Sequence, residues 1–120
     1  MHEASLAANV LRIVSAAAAG REARVVRVTV SVGELAGVMP DALLFAFDAL
    51  KKDTPLAHAA LVLVKEPVRA RCEACGTEYL PAAFPYRCPA CADSAFQIIG
   101  GEDVSVRKME LKQDERAGDR

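Results

Sequence analysis

Four cysteines, Cys72, Cys75, Cys88 and Cys91, constrain this chain more than any other feature. They form two Cys-x-x-Cys pairs separated by twelve residues. Each pair can wrap a metal ion in a tight knuckle whose backbone N–H groups point at the thiolates. Two knuckles facing each other give a closed tetrahedral S4 site, the preferred geometry of structural Zn²⁺. Gly76 follows the first pair and relieves the turn. The equivalent residue after the second pair is Ala92. If its knuckle demands a positive φ, that residue costs about 1 kcal/mol. Arg69, Arg71 and Arg87 flank the ligands and are placed to offset the excess negative charge of four thiolates around one divalent ion. Two disulfides or a redox dithiol are the alternatives for these cysteines. The segment from Arg69 to Ile99 has too few apolar side chains to fold alone, so bound metal would supply its stability. Four thiolate ligands leave no open coordination position, which argues against catalysis there.

The rest of the chain alternates helical and extended patterns. Ala4 to Ala19 reads as an amphipathic helix with Leu6, Val10, Ile13, Val14 and Ala17 on one face, Ser5 as its cap and Gly20 as its stop. Arg24 to Val32 switches to a period of two. Val26, Val28, Val30 and Val32 point one way and Arg27, Thr29 and Ser31 the other, as in a half-buried strand. Gly33 to Gly37 is a connector. Pro40 and Asp41 open a second helix, with Leu43, Leu44, Phe47 and Leu50 as its apolar face and Lys51-Lys52 at its negative end. His58 to Lys65 is a second strand. Apolar residues on both of its sides suggest a more central place than the first strand has. Gly100-Gly101 reads as a hinge. Val104 to Lys112 is a last strand whose phase slips at Arg107-Lys108, as a β-bulge would produce.

This order predicts an α+β domain in which two helices cover one face of a three-stranded sheet, with the four-cysteine zinc module inserted between the second and third strands. Residues 1–68 and 100–112 would form the α+β domain, 69–99 the zinc-binding module and 113–120 a flexible tail. A module on two narrow linkers is open to exchange between chains, so a homodimer is allowed.

Composition narrows the function. Fifteen basic and sixteen acidic residues leave a net charge of −1, with no basic stripe for nucleic acid or an anionic membrane surface. No apolar run approaches the roughly 20 residues that span a bilayer. Glu3 and Arg12 interrupt what would otherwise resemble a signal peptide, so the chain reads as cytoplasmic. In that compartment paired Cys-x-x-Cys motifs favour metal over disulfides.

The other candidate site is Met1-His2-Glu3. The α-amine of Met1, the backbone nitrogen of His2 and the His2 imidazole can close adjacent chelate rings in one plane. The Glu3 amide nitrogen or carboxylate is available as a fourth donor. A planar nitrogen set selects Ni(II) or Cu(II) and requires a free α-amine. Taken alone, a histidine at position 2 is most often an incidental residue on a frayed terminus. His58, the second of two histidines, is read as structural or simply exposed.

Together these residues resemble the HypA/HybF family of hydrogenase nickel-insertion accessory proteins. The resemblance runs through Met1-His2-Glu3-Ala4-Ser5-Leu6-Ala7 and through Val32-Gly33-Glu34-Leu35-Ala36-Gly37-Val38, where Ala36 replaces the family's serine. It continues through Pro40 to Phe47 and through the two cysteine motifs, Cys72 to Gly76 and Cys88 to Cys91. Ala92 departs from the family's usual glycine. The resemblance implies a nickel metallochaperone rather than an enzyme. Ni²⁺ would be cargo on Met1, His2 and Glu3, and Zn²⁺ structural on Cys72, Cys75, Cys88 and Cys91. The implied partners are a HypB-type GTPase and the large subunit of [NiFe]-hydrogenase, with urease maturation proteins for some members. The alternative is a zinc-ribbon adaptor or nucleic-acid-binding module without a nickel role.

Overall fold

The computed structural model describes residues 3–21 and 23–113. In chain order these form α1 (Glu3–Ala18), β1 (Ala23–Gly33), α2 (Pro40–Leu50), β2 (Ala60–Glu66), β3 (Arg69–Cys72), β4 (Glu78–Tyr79), β5 (Phe96–Gly100) and β6 (Val104–Gln113). The strands make two three-stranded sheets, β2-β1-β6 and β4-β3-β5. The α+β class and the inserted cysteine module are as expected; the second sheet, built within the module and its linker, was not. Residues 114–120 of the expected tail lie outside the described residues, and Gln113 is the last residue of β6.

The chain divides into two compact units. The first comprises Met1–Val30, Val38–Val64 and Ser105–Arg120, and the second Ser31–Gly37 and Lys65–Val104.

In the first unit, α1 buries Ala7, Val10, Leu11 and Val14. Their spacing of three, four and seven residues is a single helical stripe. Ile13 and Ala17, expected on that face, are exposed. The stripe lies about one residue position away from the expected one, because Ala7 and Leu11 complete it better than Leu6 and Ile13 do. Ser5 lies inside the helix rather than capping it, since α1 already includes Glu3. In α2, Leu43 and Phe47 are fully buried while Leu50 is 43% exposed. Lys51 follows that helix. Its ammonium donates to the Ala59 carbonyl at 2.8 Å, pairs with Asp48 at 3.0 Å and lies 5.6 Å from the Phe47 ring centre.

The relative standing of the first two strands is the reverse of that expected. The central strand is β1, and Val28 to Gly33 is buried without interruption, Thr29 and Ser31 included. On β2, at the sheet edge, Leu61 and Leu63 are half buried while Val62 and Val64 face solvent. Apolar residues on both sides of a strand measure its hydrophobicity, not its position; small hydroxyls satisfied within a sheet can be buried just as well. His58 precedes β2, exposed in a turn. Along β6 the half-buried pairs Val104/Val106 and Met109/Leu111 are separated by exposed Arg107 and Lys108, which is the expected phase slip.

The second unit explains why Gly33 to Gly37 is more than a connector. The Gly33 N–H donates to Asp103, Glu34 N–H to Glu66 and Leu35 N–H to Gly101, each at 2.8 Å. The Glu34 carboxylate accepts from the Val68 N–H at 3.1 Å and pairs with Lys65 at 3.6 Å. One turn thus holds both linkers of the cysteine module. The crossing is tight enough to require glycine. A Cβ on Gly33 would lie 2.4 Å from the Gly101 carbonyl, and one on Gly101, at φ +90°, would lie 2.7 Å from the Pro67 carbonyl oxygen. Gly101 is therefore a point of close backbone contact. In the module itself, β3 pairs antiparallel with β4 through Ala70–Tyr79 and with β5 through Ala70–Ile98 and Cys72–Phe96.

Candidate metal centre

The first cysteine pair leaves the end of β3. Cys72 donates its N–H to Thr77 and accepts from Gly76, at 2.8 and 2.9 Å. The second pair repeats this closure: Cys88 donates to Asp93 at 3.0 Å and accepts from Ala92 at 2.8 Å. Both turns end in the left-handed region, Gly76 at φ +81° and Ala92 at φ +64°. The departure at Ala92 thus carries the backbone cost anticipated for it. We expect Ala92→Gly to stabilise the zinc-loaded protein by about 1 kcal/mol, seen as a rise of a few degrees in thermal midpoint. An unchanged or lower midpoint would show that the knuckle bears no strain there.

The two knuckles face each other. All four sulfurs lie within 4.8 Å of one another. Cys72 Sγ is 3.5 Å from Cys91 Sγ, and Cys75 Sγ is 3.6 Å from Cys88 Sγ. A tetrahedron of thiolates at ~2.3 Å from zinc has sulfur–sulfur edges of about 3.8 Å, so the donor set and spacing fit Zn²⁺ with little adjustment. A disulfide would need ~2.05 Å. Each knuckle supplies one buried thiol, Cys72 or Cys88, and one exposed thiol, Cys75 or Cys91.

Polar groups around the sulfurs are unevenly distributed. Cys75 Sγ lies 3.1 Å from the Thr77 hydroxyl. Hydrogen bonds from the Thr77 hydroxyl and backbone N–H, then from the Cys88 thiol, lower Cys75 to about 6. Cys91 accepts from the Asp93 backbone, which pulls it down, but the Cys72, Cys75 and Cys88 thiols and burial outweigh that and push it up to about 12. Ala90 N–H reaches Cys88 Sγ at 3.4 Å. The flanking arginines are not aimed at the thiols as expected: Arg71 pairs with Glu78 at 3.2 Å, and Arg87 donates to the Ala92 carbonyl at 3.3 Å.

A metal must displace the protons its ligands hold. Anywhere below about 12, binding expels the Cys91 proton; below about 6 it must also expel one from Cys75. Zinc affinity should therefore fall at least about tenfold per unit of acidification near neutrality, and more steeply below about pH 6. Chelator competition across that range measures the slope, and an affinity independent of pH would contradict it.

Of the tripeptide, Met1 and His2 lie outside the described residues. Glu3 opens α1 and is half buried. Its carboxylate accepts the Met39 N–H at 3.0 Å. Met39 is the N-cap of α2 and has no side-chain cap of its own. Glu3 thus caps the second helix from the first, a role that sequence spacing did not reveal because the two residues are thirty-six positions apart. Sequence reading also passed over Thr77 and Tyr79. Thr77 sits two residues past Cys75, where a hydroxyl beside a thiol is a signal that could have been used. Tyr79 is buried, and its phenol oxygen has no partner among the described residues. Burial, then the Cys88, Cys72, Cys91 and Cys75 thiols, raise its pKa.

Comparison with known proteins points the same way. The family described as "Hydrogenase/urease nickel incorporation, metallochaperone, hypA" matches residues 1–111. A hydrogenase maturation factor HypA from Geobacter metallireducens is 38% identical over 112 residues, covering 93% of this chain and all of that one. The factor of the same name from Chloroflexus aggregans is 42% identical over 113 residues, 92% of this chain and 98% of that one. In fold, the chain is similar to the solution structure of the Ni metallochaperone HypA from Helicobacter pylori. The TM-score is 0.70 at 24% identity, over 95% of this chain and 100% of that one. A second solution structure, of a HypA protein, gives 0.76 at 24% identity, over 95% and 98%.

Proposed function

The chain belongs to the HypA family of nickel-incorporation metallochaperones, and from that premise we propose that it takes up one Ni(II) at Met1, His2 and Glu3 and passes it to the large subunit of a [NiFe]-hydrogenase. Nickel is cargo in this family's role of hydrogenase maturation. The four-cysteine cluster fits a structural zinc site. Its residues, Cys72, Cys75, Cys88 and Cys91, offer four thiolates and no open position, so the cargo belongs elsewhere.

The observation that carries the tripeptide assignment is the position of Glu3. It stands in the first turn of α1, at the positive end of the helix dipole. Its carboxylate already accepts the Met39 N–H. That favours the Glu3 backbone nitrogen over the carboxylate as fourth donor. A helix N-terminus opposes a dication, yet it favours the negative charge left when amide nitrogens lose protons to the metal. The two effects offset each other and suit a site that must release its ion. Protonation of the amine or imidazole would weaken it further.

The protein acts as a carrier rather than an enzyme, with a HypB-type GTPase as its partner and, where urease is made, urease maturation proteins as further partners. A homodimer through exchange of residues 69–99 and a cytoplasmic location complete the reading. Among the described residues no helix is long and apolar enough to cross a membrane. Calorimetric titration of the zinc-loaded protein with Ni(II) tests the proposal. One nickel should bind per chain while zinc stays in place. Absence of binding, or zinc displacement in step with nickel uptake, would overturn it.

A further inference from the structure

The helix α2 carries apolar groups where an amphipathic helix carries polar ones. Leu43 and Phe47 are fully buried, yet Phe45 is 77% exposed, and Met39 and Leu50 at the two ends of the helix are 67% and 43% exposed. Phe45 and Leu50 are not isolated side chains. With Ala4 of α1 and Ala42, Ala46 and Ala49 of α2 they line an open groove of about 450 Å³. Alanines leave the space that larger side chains would fill. Folding does not call for an exposed phenylalanine beside such a groove, and contiguous apolar groups rimmed by charge mark a docking surface.

The charge on the rim is acidic. Glu3 also lines the groove, and its carboxylate accepts the Met39 N–H at 3.0 Å. Asp41, one helical turn before Phe45, is exposed and in no ion pair among the described residues. Asp48, three residues beyond Phe45, is already paired with Lys51. Uncompensated negative charge therefore gathers where α2 begins. The occupant that matches is a helical segment with one bulky apolar side chain and a basic group about one turn away from it.

Glu3 also decides which partner brings that segment. It is the third residue of the nickel tripeptide, so whatever fills the groove stands beside the cargo. Handing nickel on is the role of this family, and the receiving protein is the partner that must come that close. We propose that the groove lined by Glu3, Phe45 and Leu50 is the docking site for the nickel-receiving large subunit, which fills it with an apolar side chain and sets a basic group against Asp41. The inference rests on Met1, His2 and Glu3 being the cargo site.

Two variants of the full chain test it, Phe45→Ala and Asp41→Lys. Both positions are exposed, so zinc content and nickel uptake by the chain alone should not change. Equilibrium binding of the zinc-loaded, nickel-free protein to a nickel-free large subunit of a [NiFe]-hydrogenase should weaken at least about tenfold in Phe45→Ala. In Asp41→Lys, association should slow and lose part of its salt dependence. Parent-like binding in both variants would overturn the proposal, as would a parent chain with no measurable affinity for the large subunit. Weakening seen only toward a HypB-type GTPase, or only in self-association, would give the groove another occupant and overturn it too. Docking is read without nickel, so these failures leave the cargo site untouched. A parent chain that takes up no nickel in the metal titration would instead sink the delivery reading, and this inference with it.

Discussion

Replacing His2 with alanine should weaken Ni(II) binding by at least about a hundredfold, or ~2.7 kcal/mol, and leave zinc content and fold intact. The imidazole is the one side-chain nitrogen in the tripeptide, and without it the chelate loses a ring and its planar donor set. The fold should be indifferent, because the buried core of α1 begins at Ala7 and the cap on Met39 is the Glu3 carboxylate. Glu3→Gln separates the two roles of its neighbour. It keeps the backbone nitrogen and a hydrogen-bond acceptor for Met39, so nickel should still bind. Nickel affinity in His2→Ala equal to that of the parent would place the cargo site elsewhere.

Replacing a buried cysteine, Cys72 or Cys88, with serine should remove zinc and melt the β4-β3-β5 sheet. That sheet has little else to hold it. Its buried cluster is Ala70, Cys72, Tyr79 and Cys88, with Phe96 half buried beside it. Two of those four belong to the four-cysteine cluster, so the core and the candidate metal site are nearly the same object. Structural zinc contributes on the order of 10 kcal/mol in modules this small, far more than one tyrosine and one alanine can replace. Amide exchange should show residues 69–100 losing protection while α1 and α2, which pack on each other and bury Val10, Val14, Leu43 and Phe47, keep theirs. The same pattern should follow removal of zinc by a chelator. A protected sheet in the metal-free protein would show that side-chain packing suffices.

What the sequence disclosed, it disclosed through spacing. Two Cys-x-x-Cys pairs twelve residues apart led to a four-sulfur cluster, and the knuckle comparison led to strain at Ala92, which does adopt φ +64°. Strand and helix order came from the switch between periods of two and 3.6. What spacing could not show were contacts between distant residues. Glu3 reaching Met39, Glu34 reaching Val68 and Gly33 pressed against Gly101 have no local signature. The exchange of rank between β1 and β2 has the same origin, because burial of Thr29 and Ser31 depends on which strands flank them. Tyr79 escaped notice for a simpler reason: in a short polar segment, one tyrosine looks like ordinary filling until its hydroxyl is seen enclosed without a partner among the described residues.

The most direct measurement is the visible absorption of the zinc-loaded protein titrated with Ni(II), first with the Met1 amine free and then with one residue added ahead of it. The free-amine protein should develop, at one equivalent, the d–d band of Ni(II) in a planar nitrogen field, and the extended protein should not. A band that survives the extension, or nickel bound with undiminished affinity and no such band, would contradict a cargo site built on Met1, His2 and Glu3.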